Sequence, residues 1–312
     1  MQENLKLDAI IIGGSYAGLS AAMALGRALR KVLVIDYGRP CNRQTPHSHN
    51  FLTHDGEVPA LIAAKAKQQV EQYPTIQFLN ANVVEARQAD NSFQIITQEE
   101  NVYSAKKLLF ATGLKDIMPA ISGFEACWGK SILHCPYCHG YEVKQQRTGI
   151  LANGDMGYEL IKLIDNWTSD LILFTNGPSS LTAEQMSVIS KHKIPVIEKP
   201  IDFLHHDQGY IEQIVFSDYS TYDVTALYAR PAFEQHCHLP IALGCELTEQ
   251  GLLKIDAFQR TTVKGVFAAG DNASLFRSVS MAVAAGTFAG VALNKELIDE
   301  QFLYKKMFIE TI

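Results

Sequence analysis

Apolar residues along this chain fall into short unbroken runs separated by longer amphipathic ones. Residues 9–12, 31–36, 108–111, 148–152, 171–175 and 265–271 are nearly continuous apolar stretches. Runs of that length and kind are strands covered on both faces. Residues 18–30 are rich in Ala and Leu and predict a helix, as do 57–73, a stretch near 156–166, and the long Ala-rich segment 278–298. Residues 76–110 break into short strands, and 194–230 alternate enough for several more. Strand, helix and strand over 8–36 make one βαβ unit, and a second begins at Thr148. Residues 39–56 between them are a polar, His-rich loop. Residues 9–26 carry no charge and are long enough to suggest a membrane span. Gly13-Gly14-Ser15 interrupts that stretch and resolves it into strand, tight turn and helix.

Composition narrows the class. A chain of 312 residues predicts about two domains. Its 47% apolar and 19% charged residues exclude an intrinsically disordered chain. With 27 Lys and Arg against 33 Asp and Glu the net charge is −6, which gives no bulk attraction to nucleic acid or anionic membrane. Six cysteines are too few for a disulfide scaffold, and only Cys135 and Cys138 are close in sequence. Residues 1–6 are polar and lack the basic start of a secretion signal. A soluble cytoplasmic protein is expected.

Two glycine turns carry the first candidate chemistry. Gly13-Gly14-Ser15-Tyr16-Ala17-Gly18 follows a strand and opens a helix, as a dinucleotide phosphate turn does. Gly13 permits the turn, Gly18 lets the helix pack, and Ser15 replaces the usual middle glycine. Asp36 ends the next strand, placed to accept from a ribose hydroxyl. The second turn, Ala152-Asn153-Gly154-Asp155-Met156-Gly157, has lost its first glycine. Thr175-Asn176-Gly177 after the following strand offers neither an acid for NADH nor a base for NADPH, and no Lys or Arg occurs from 163 to 190. This nicotinamide site reads as eroded: weak binding and a purely structural role both stay open.

The sharpest signal is His134-Cys135-Pro136-Tyr137-Cys138-His139-Gly140. Cys-x-x-Cys at a helix start brings two sulfurs to one face, and a helix N-terminus favours a thiolate. Three readings are open. The string matches c-type haem attachment, but such chains are normally exported. A zinc site needs further ligands, which His236-Cys237-His238 could supply from a hundred residues away. A redox-active disulfide working with a flavin agrees with the nucleotide turn. His139 suits proton transfer beside such a pair. His47, His49 and His54 read as solvated loop residues, and Cys41, Cys127 and Cys245 as small apolar ones.

Taken together, residues 13–22, Asp36, Ala111-Thr112-Gly113, 135–140 and 251–271 resemble the low-molecular-weight thioredoxin reductase-like, FAD-dependent pyridine nucleotide-disulfide oxidoreductases. The resemblance implies an α/β fold of two Rossmann-like, three-layer ββα nucleotide-binding domains, the second inserted in the first. It assigns 1–116 plus 245–312 to an FAD domain and 117–244 to a central redox domain, in a homodimer. Cys138 is then the flavin-facing sulfur and Cys135 the one that exchanges with substrate. Gly13, Ser15, Gly18, Asp36, Asn50, Ala111, Thr112, Gly113, Gly270 and Asp271 match the FAD side, as do Val279 and Ser280 by position. Three departures stand out: His139 where family reductases have Asp, Val279-Ser280-Met281 where they have Arg-Gln-Ala, and Thr175-Asn176-Gly177 where they have a basic cluster. The motifs are similar to those of gliotoxin-oxidase-type dithiol oxidases, which do not use NADPH well. The expected activity is FAD-dependent thiol–disulfide exchange through Cys135, Cys138 and His139, without a metal. A thioredoxin-like protein or a small dithiol or disulfide is the partner. An oxygen-using dithiol oxidase and a non-catalytic flavin redox sensor are the alternatives.

Overall fold

The computed structural model describes residues 7–309, with side chains to 303. Residues 1–6, whose polar character bears on a leader, lie outside the described residues. The chain divides into two compact units. One holds residues 1–41, 60–115 and 234–312, and the other holds 42–59 and 116–233.

The first unit is built on a seven-stranded sheet. Strand Leu7–Ile12 runs parallel to Val32–Asp36 on one side and to Val102–Phe110 on the other. Ile76–Asn80 extends the sheet parallel to Val32–Asp36. Val102–Phe110 divides its other edge. Its end pairs in parallel with Val266–Ala268, while its beginning pairs antiparallel with Ser92–Thr97, which in turn pairs with Val83–Ala89. Because side chains alternate along a strand, the buried runs supply two cores. Ala9, Ile11, Val32, Val34, Leu109 and Phe267 face the helices. Ile10, Ile12, Leu33, Ile35, Leu108 and Phe110 face the Phe93–Ile95 hairpin side. Fully burying one such aliphatic side chain contributes about 1.5–3 kcal/mol, so both faces of this sheet resist water.

Helix Tyr16–Arg27 and helix Val279–Ile309 lie against each other on the first of these faces. A Cβ on Gly286 would sit 2.0 Å from the Ala17 carbonyl oxygen, so the two backbones touch there. The last helix runs past the expected end at 298 because its charged turn has partners: Lys107, only 4% exposed, reaches Glu296 at 2.5 Å and Glu300 at 2.6 Å. Its stretch Val279–Leu303 has the length and apolarity of a membrane span, yet one face is occupied by helix Tyr16–Arg27.

The second unit has a five-stranded, all-parallel sheet in the order Val196–Ile197, Leu171–Phe174, Thr148–Leu151, Ala226–Ala229, Ile132–Leu133. Helices Gly154–Ile164 and Ala183–Lys191 cover one face, with Leu160, Ile161, Ile164 and Ile189 in a common core. The antiparallel strands Ile201–Asp207, Tyr210–Phe216 and Thr221–Asp223 cover the other. Each unit is thus an antiparallel layer, a parallel sheet and a helical layer, the α/β architecture expected.

The units do not follow the expected boundaries throughout. Residues 234–244 group with the first unit, since Cys237, Leu239 and Leu243 pack on its core. The loop 42–59 groups with the second, where the Ser48–Glu57 bridge closes it and His49 meets Glu142.

Candidate active site

In the first unit the glycine turn has the geometry of a nucleotide cradle. Gly13 sits at φ +104°, and a Cβ there would lie 2.2 Å from the Ala111 carbonyl oxygen. Only glycine fits that approach of the turn to residues 111–113. A Cβ on Gly18 would lie 1.9 Å from the Gly13 carbonyl oxygen, so the helix closes onto the turn itself. The helix starts at Tyr16, two residues before the expected Gly18. Ser15 is its N-cap and makes no capping bond with its hydroxyl. The Asp36 carboxylate is fixed by the Gly14 amide at 2.9 Å and the Gly38 amide at 3.1 Å. A helix N-terminus facing an open glycine turn is a site for phosphate.

Gly270 and Asp271 follow the Val266–Ala268 strand at the same end of the sheet. Gly270 takes φ +93°, and Asp271 starts a short 3₁₀ turn in contact with the Arg277 guanidinium at 3.6 Å and the Cys41 thiol at 3.8 Å. Cys41 is therefore an exposed thiol beside a carboxylate, which departs from the small apolar role expected; Cys127 and Cys245 are buried. Two amides were not visible in the sequence. Asn272, fully buried, donates to the Phe110 carbonyl at 2.9 Å, and Gln235 donates to the Asn272 and Gly251 carbonyls at 2.9 Å. They tie residues 110–112 to 270–272. Thr112 lies 3.5 Å from the Asn272 amide. Val279 and Ser280 open the last helix, where the Ser278 and Ser280 hydroxyls meet at 3.1 Å.

In the second unit the Cys pair is assembled. Cys135 caps the single helical turn Pro136–His139, and the Cys138 thiol points at the Cys135 sulfur at 2.6 Å. The Cys135 thiol is brought down from 9.0 to about 7, chiefly by that bond, against the upward push of burial. The Cys138 and Tyr137 amides and the charge of Arg230 add to it. One turn is too short to carry much helix dipole, so neighbouring donors and Arg230 take the part expected of a helix N-terminus. Arg230 is separated from the motif by more than ninety residues, and no local pattern marked it.

His139 follows the second sulfur. Burial pushes its imidazole below the usual range, the charge of His49 adds to this, and Glu142 opposes it. The His49 ring meets His139 edge to face at 6.1 Å and lies 3.6 Å from the Glu142 carboxylate. His49 is therefore no solvated bystander. His54 pairs with Glu57 at 2.5 Å, and His47 bonds the Gly56 carbonyl at 3.0 Å, which shapes the same loop. Asn50, at φ +58°, has its amide on Asp55 at 2.7 Å. An open cavity of 280 Å³ is bordered by His49, Asn50, Tyr137, Tyr141, Glu142 and Trp167, beside the Cys pair. Among the described residues no group of three or more His, Cys, Asp and Glu side chains could hold a metal ion.

The second glycine turn is closed by its own side chains. The Asn153 carboxamide oxygen accepts from the Gly154 amide at 2.8 Å and the Ser180 amide at 2.9 Å, and its nitrogen donates to the Pro178 carbonyl at 2.9 Å. The cap thus engages one of the amides that a phosphate would take at this helix start.

Comparison with known proteins decides the relationship. The pyridine nucleotide-disulphide oxidoreductase profile matches residues 7–286. The chain belongs to that family. It is 33% identical to thioredoxin reductase tcpT of Claviceps purpurea, over 97% of this chain and 98% of that one. Thioredoxin reductase aclD of Aspergillus oryzae is 30% identical over 93% and 96%. Among solved structures, an Agrobacterium tumefaciens oxidoreductase superposes with a TM-score of 0.88 at 34% identity, over 94% of this chain and 99% of that one. The structure of HlmI gives 0.93 at 29%, over 100% and 98%. The protein is thus a thioredoxin reductase-like oxidoreductase acting on sulfur groups, and family membership implies FAD. The residues present fit that group: glycines at 13 and 18 let the turn close on residue 111 and on the helix start, the Ser15 hydroxyl leaves that helix start uncapped, and Asp36 is held at the strand end beside it.

Proposed function

We infer that the protein is an FAD-dependent thiol–disulfide oxidoreductase in which Cys135 and Cys138 are the redox pair and NADPH is a poor reductant or none. The observation that carries the redox assignment is the sulfur pair itself, in contact and with Cys135 brought to about 7. At neutral pH such a thiol is about half thiolate, the form that attacks a disulfide. Bound FAD supplies two-electron acceptance and release to such a pair. Cys135 exchanges with the external dithiol or disulfide, and Cys138 displaces it to close the pair. His139 is neutral at pH 7 because burial holds its imidazole down, so it is ready to take the proton released as a thiol is oxidised.

The cofactor side is assigned to Gly13, Ser15, Gly18, Asp36, residues 111–113, Gly270 and Asp271, with Val279 and Ser280 at the last helix. Ser15 would offer its hydroxyl to phosphate and Asp36 its carboxylate to ribose. Asn50 borders the cavity beside His49 within the second unit; its match to a flavin-side Asn rests on the family resemblance.

Weak nicotinamide use rests on the second turn. Asn153 caps the helix where a phosphate would bind, and Asp155 and Glu198 add negative charge nearby, the latter accepting from the Ser179 amide at 3.0 Å. This favours a second version of the function, in which a small dithiol loses two electrons and two protons and oxygen accepts them. A thioredoxin-like protein is the partner in the reductase version. Dimerisation is supported by a stripe of exposed apolar residues on the last helix, Met281, Phe288, Val291, Ile298 and Phe302. A cytoplasmic setting agrees with the sparse cysteines.

An anaerobic titration of the flavoprotein tests the reading. Bleaching of the visible flavin band by a dithiol, with little response to NADPH or NADH, is expected. Return of colour in air at the rate of turnover assigns the oxidase version, and slow return the reductase version with a protein partner. Full bleaching by stoichiometric NADPH would overturn the account of the second turn. A flavin unchanged by any thiol would leave only a sensor.

A further inference from the structure

Tyr228 is 1% exposed in strand Ala226–Ala229, and its hydroxyl is buried without a hydrogen-bond partner. A phenylalanine would fill the same volume without leaving a polar atom unsatisfied, so the hydroxyl calls for an explanation. Its neighbours supply one. Tyr228 stands beside Leu133 on one flanking strand and Ile150 on the other. Two residues beyond Leu133 is Cys135, and two beyond Tyr228 is Arg230, whose charge acts on the Cys135 thiol. Cys135 is in extended conformation just past the end of its strand, so the Tyr228–Leu133 register brings the start of the redox motif close to the tyrosine. After burial, the groups that act most on the hydroxyl are Cys135, Glu142 and Cys138, which hold its proton firmly above the usual tyrosine range. From the helical layer Leu160, Ile161, Ile164 and Ile189 join its core, with the half-buried Tyr158 and Leu163 packed against it, and Glu159 and Lys162 pair with each other at 2.6 Å in solvent.

We propose that Tyr228 is a positioning residue for the redox pair: its hydroxyl donates across one water to the sulfur that carries negative charge when the pair is reduced. This rests on Cys135 and Cys138 being the redox pair. In the thiol form seen here, the Cys138 thiol already donates to the Cys135 sulfur, and the hydroxyl has no direct bond to either sulfur. Once a sulfur is charged it needs further donors, and a buried hydroxyl bridged by water provides one at little entropic cost. Arg230 sets a positive charge beside Cys135, whereas Tyr228 adds a neutral dipole that neither salt nor pH removes.

The test is Tyr228→Phe in the full-length flavoprotein. The reduced protein is alkylated over a range of pH, and modification of Cys135 is followed by peptide mass. The variant should fold with an unchanged or raised Tm. On the acid side of the thiol midpoint, its Cys135 should react about three- to tenfold more slowly, while rates at high pH stay equal. An unchanged profile, or slowing by the same factor at every pH, overturns the proposal, because a structural hydroxyl does not move a midpoint. If the Phe variant misfolds, Tyr228→Leu, which also lacks the hydroxyl, is read in the same way. An ordinary thiol midpoint at Cys135 in the unmodified protein would overturn the redox assignment and the proposal together, and is distinguishable because it needs no variant.

Discussion

The strongest handle on this site is the thiol of Cys138. It is the largest single cause of the low Cys135 value, ahead of the two backbone amides and Arg230. Cys138→Ala removes that donor and leaves burial, which acts in the opposite direction. Taking Cys135 back to 9.0 lowers its thiolate fraction at pH 7 from about one half to about 1%, roughly a fiftyfold loss. A thiolate of higher pKa is the better nucleophile, and with a Brønsted slope near 0.45 the gain is about eightfold. The net expectation at pH 7 is a rate about sixfold lower, while above the new midpoint the variant overtakes the unmodified protein. The assay is exchange with a chromogenic aromatic disulfide under anaerobic conditions, with the pH–rate profile fitted for its midpoint. A midpoint still near 7 in the variant would refute the reasoning, since the amides and Arg230 would then suffice on their own.

Two further outcomes follow from the same structure. His139 has its imidazole depressed by burial, so the unfolded chain takes up that proton before the folded one. Stability is therefore fully present above the unfolded value of 6.5 and falls as pH drops below it; His139→Gln should flatten the Tm–pH curve on the acid side, and an unchanged slope would contradict the buried, neutral imidazole. Gly286→Ala places a methyl 2.0 Å from the Ala17 carbonyl oxygen and must push two helices apart. A loss of about 1–3 kcal/mol is expected from overpacking, measured by denaturant titration with flavin content as a second readout; unchanged stability would mean the helices are not in backbone contact.

Much of the site was legible because its chemistry lies in short local strings. The strand, turn and helix around Gly13–Gly18 follow from an unbroken apolar run, glycines at a turn and an Ala-rich segment, and the structure differs in running the helix from Tyr16 to Arg27 in place of the expected 18–30. Cys135 and Cys138 meet because only two residues separate them on one helical turn. Asp36 was found because a strand end follows a helix at fixed spacing. The cap on the second helix was half visible: the missing glycine and missing bases were plain, but not that Asn153 would turn its own carboxamide onto the Gly154 and Ser180 amides.

The two βαβ units, the nucleotide turn and the sulfur pair follow from residues within a few positions of one another, so local pattern suffices for them. What surrounds them comes from the packing of distant segments. His49 comes beside His139 because the 42–59 loop folds with the second unit. Arg230 acts on Cys135 and Tyr228 stands by Leu133 because parallel strands from distant parts of the chain share a register. Asn272 and Gln235 join residues 110–112 to 270–272 across more than a hundred residues. Electrostatics and hydrogen bonding act through space over a few ångströms, so the partners that tune a group are those the fold brings near it, and no local spacing records them.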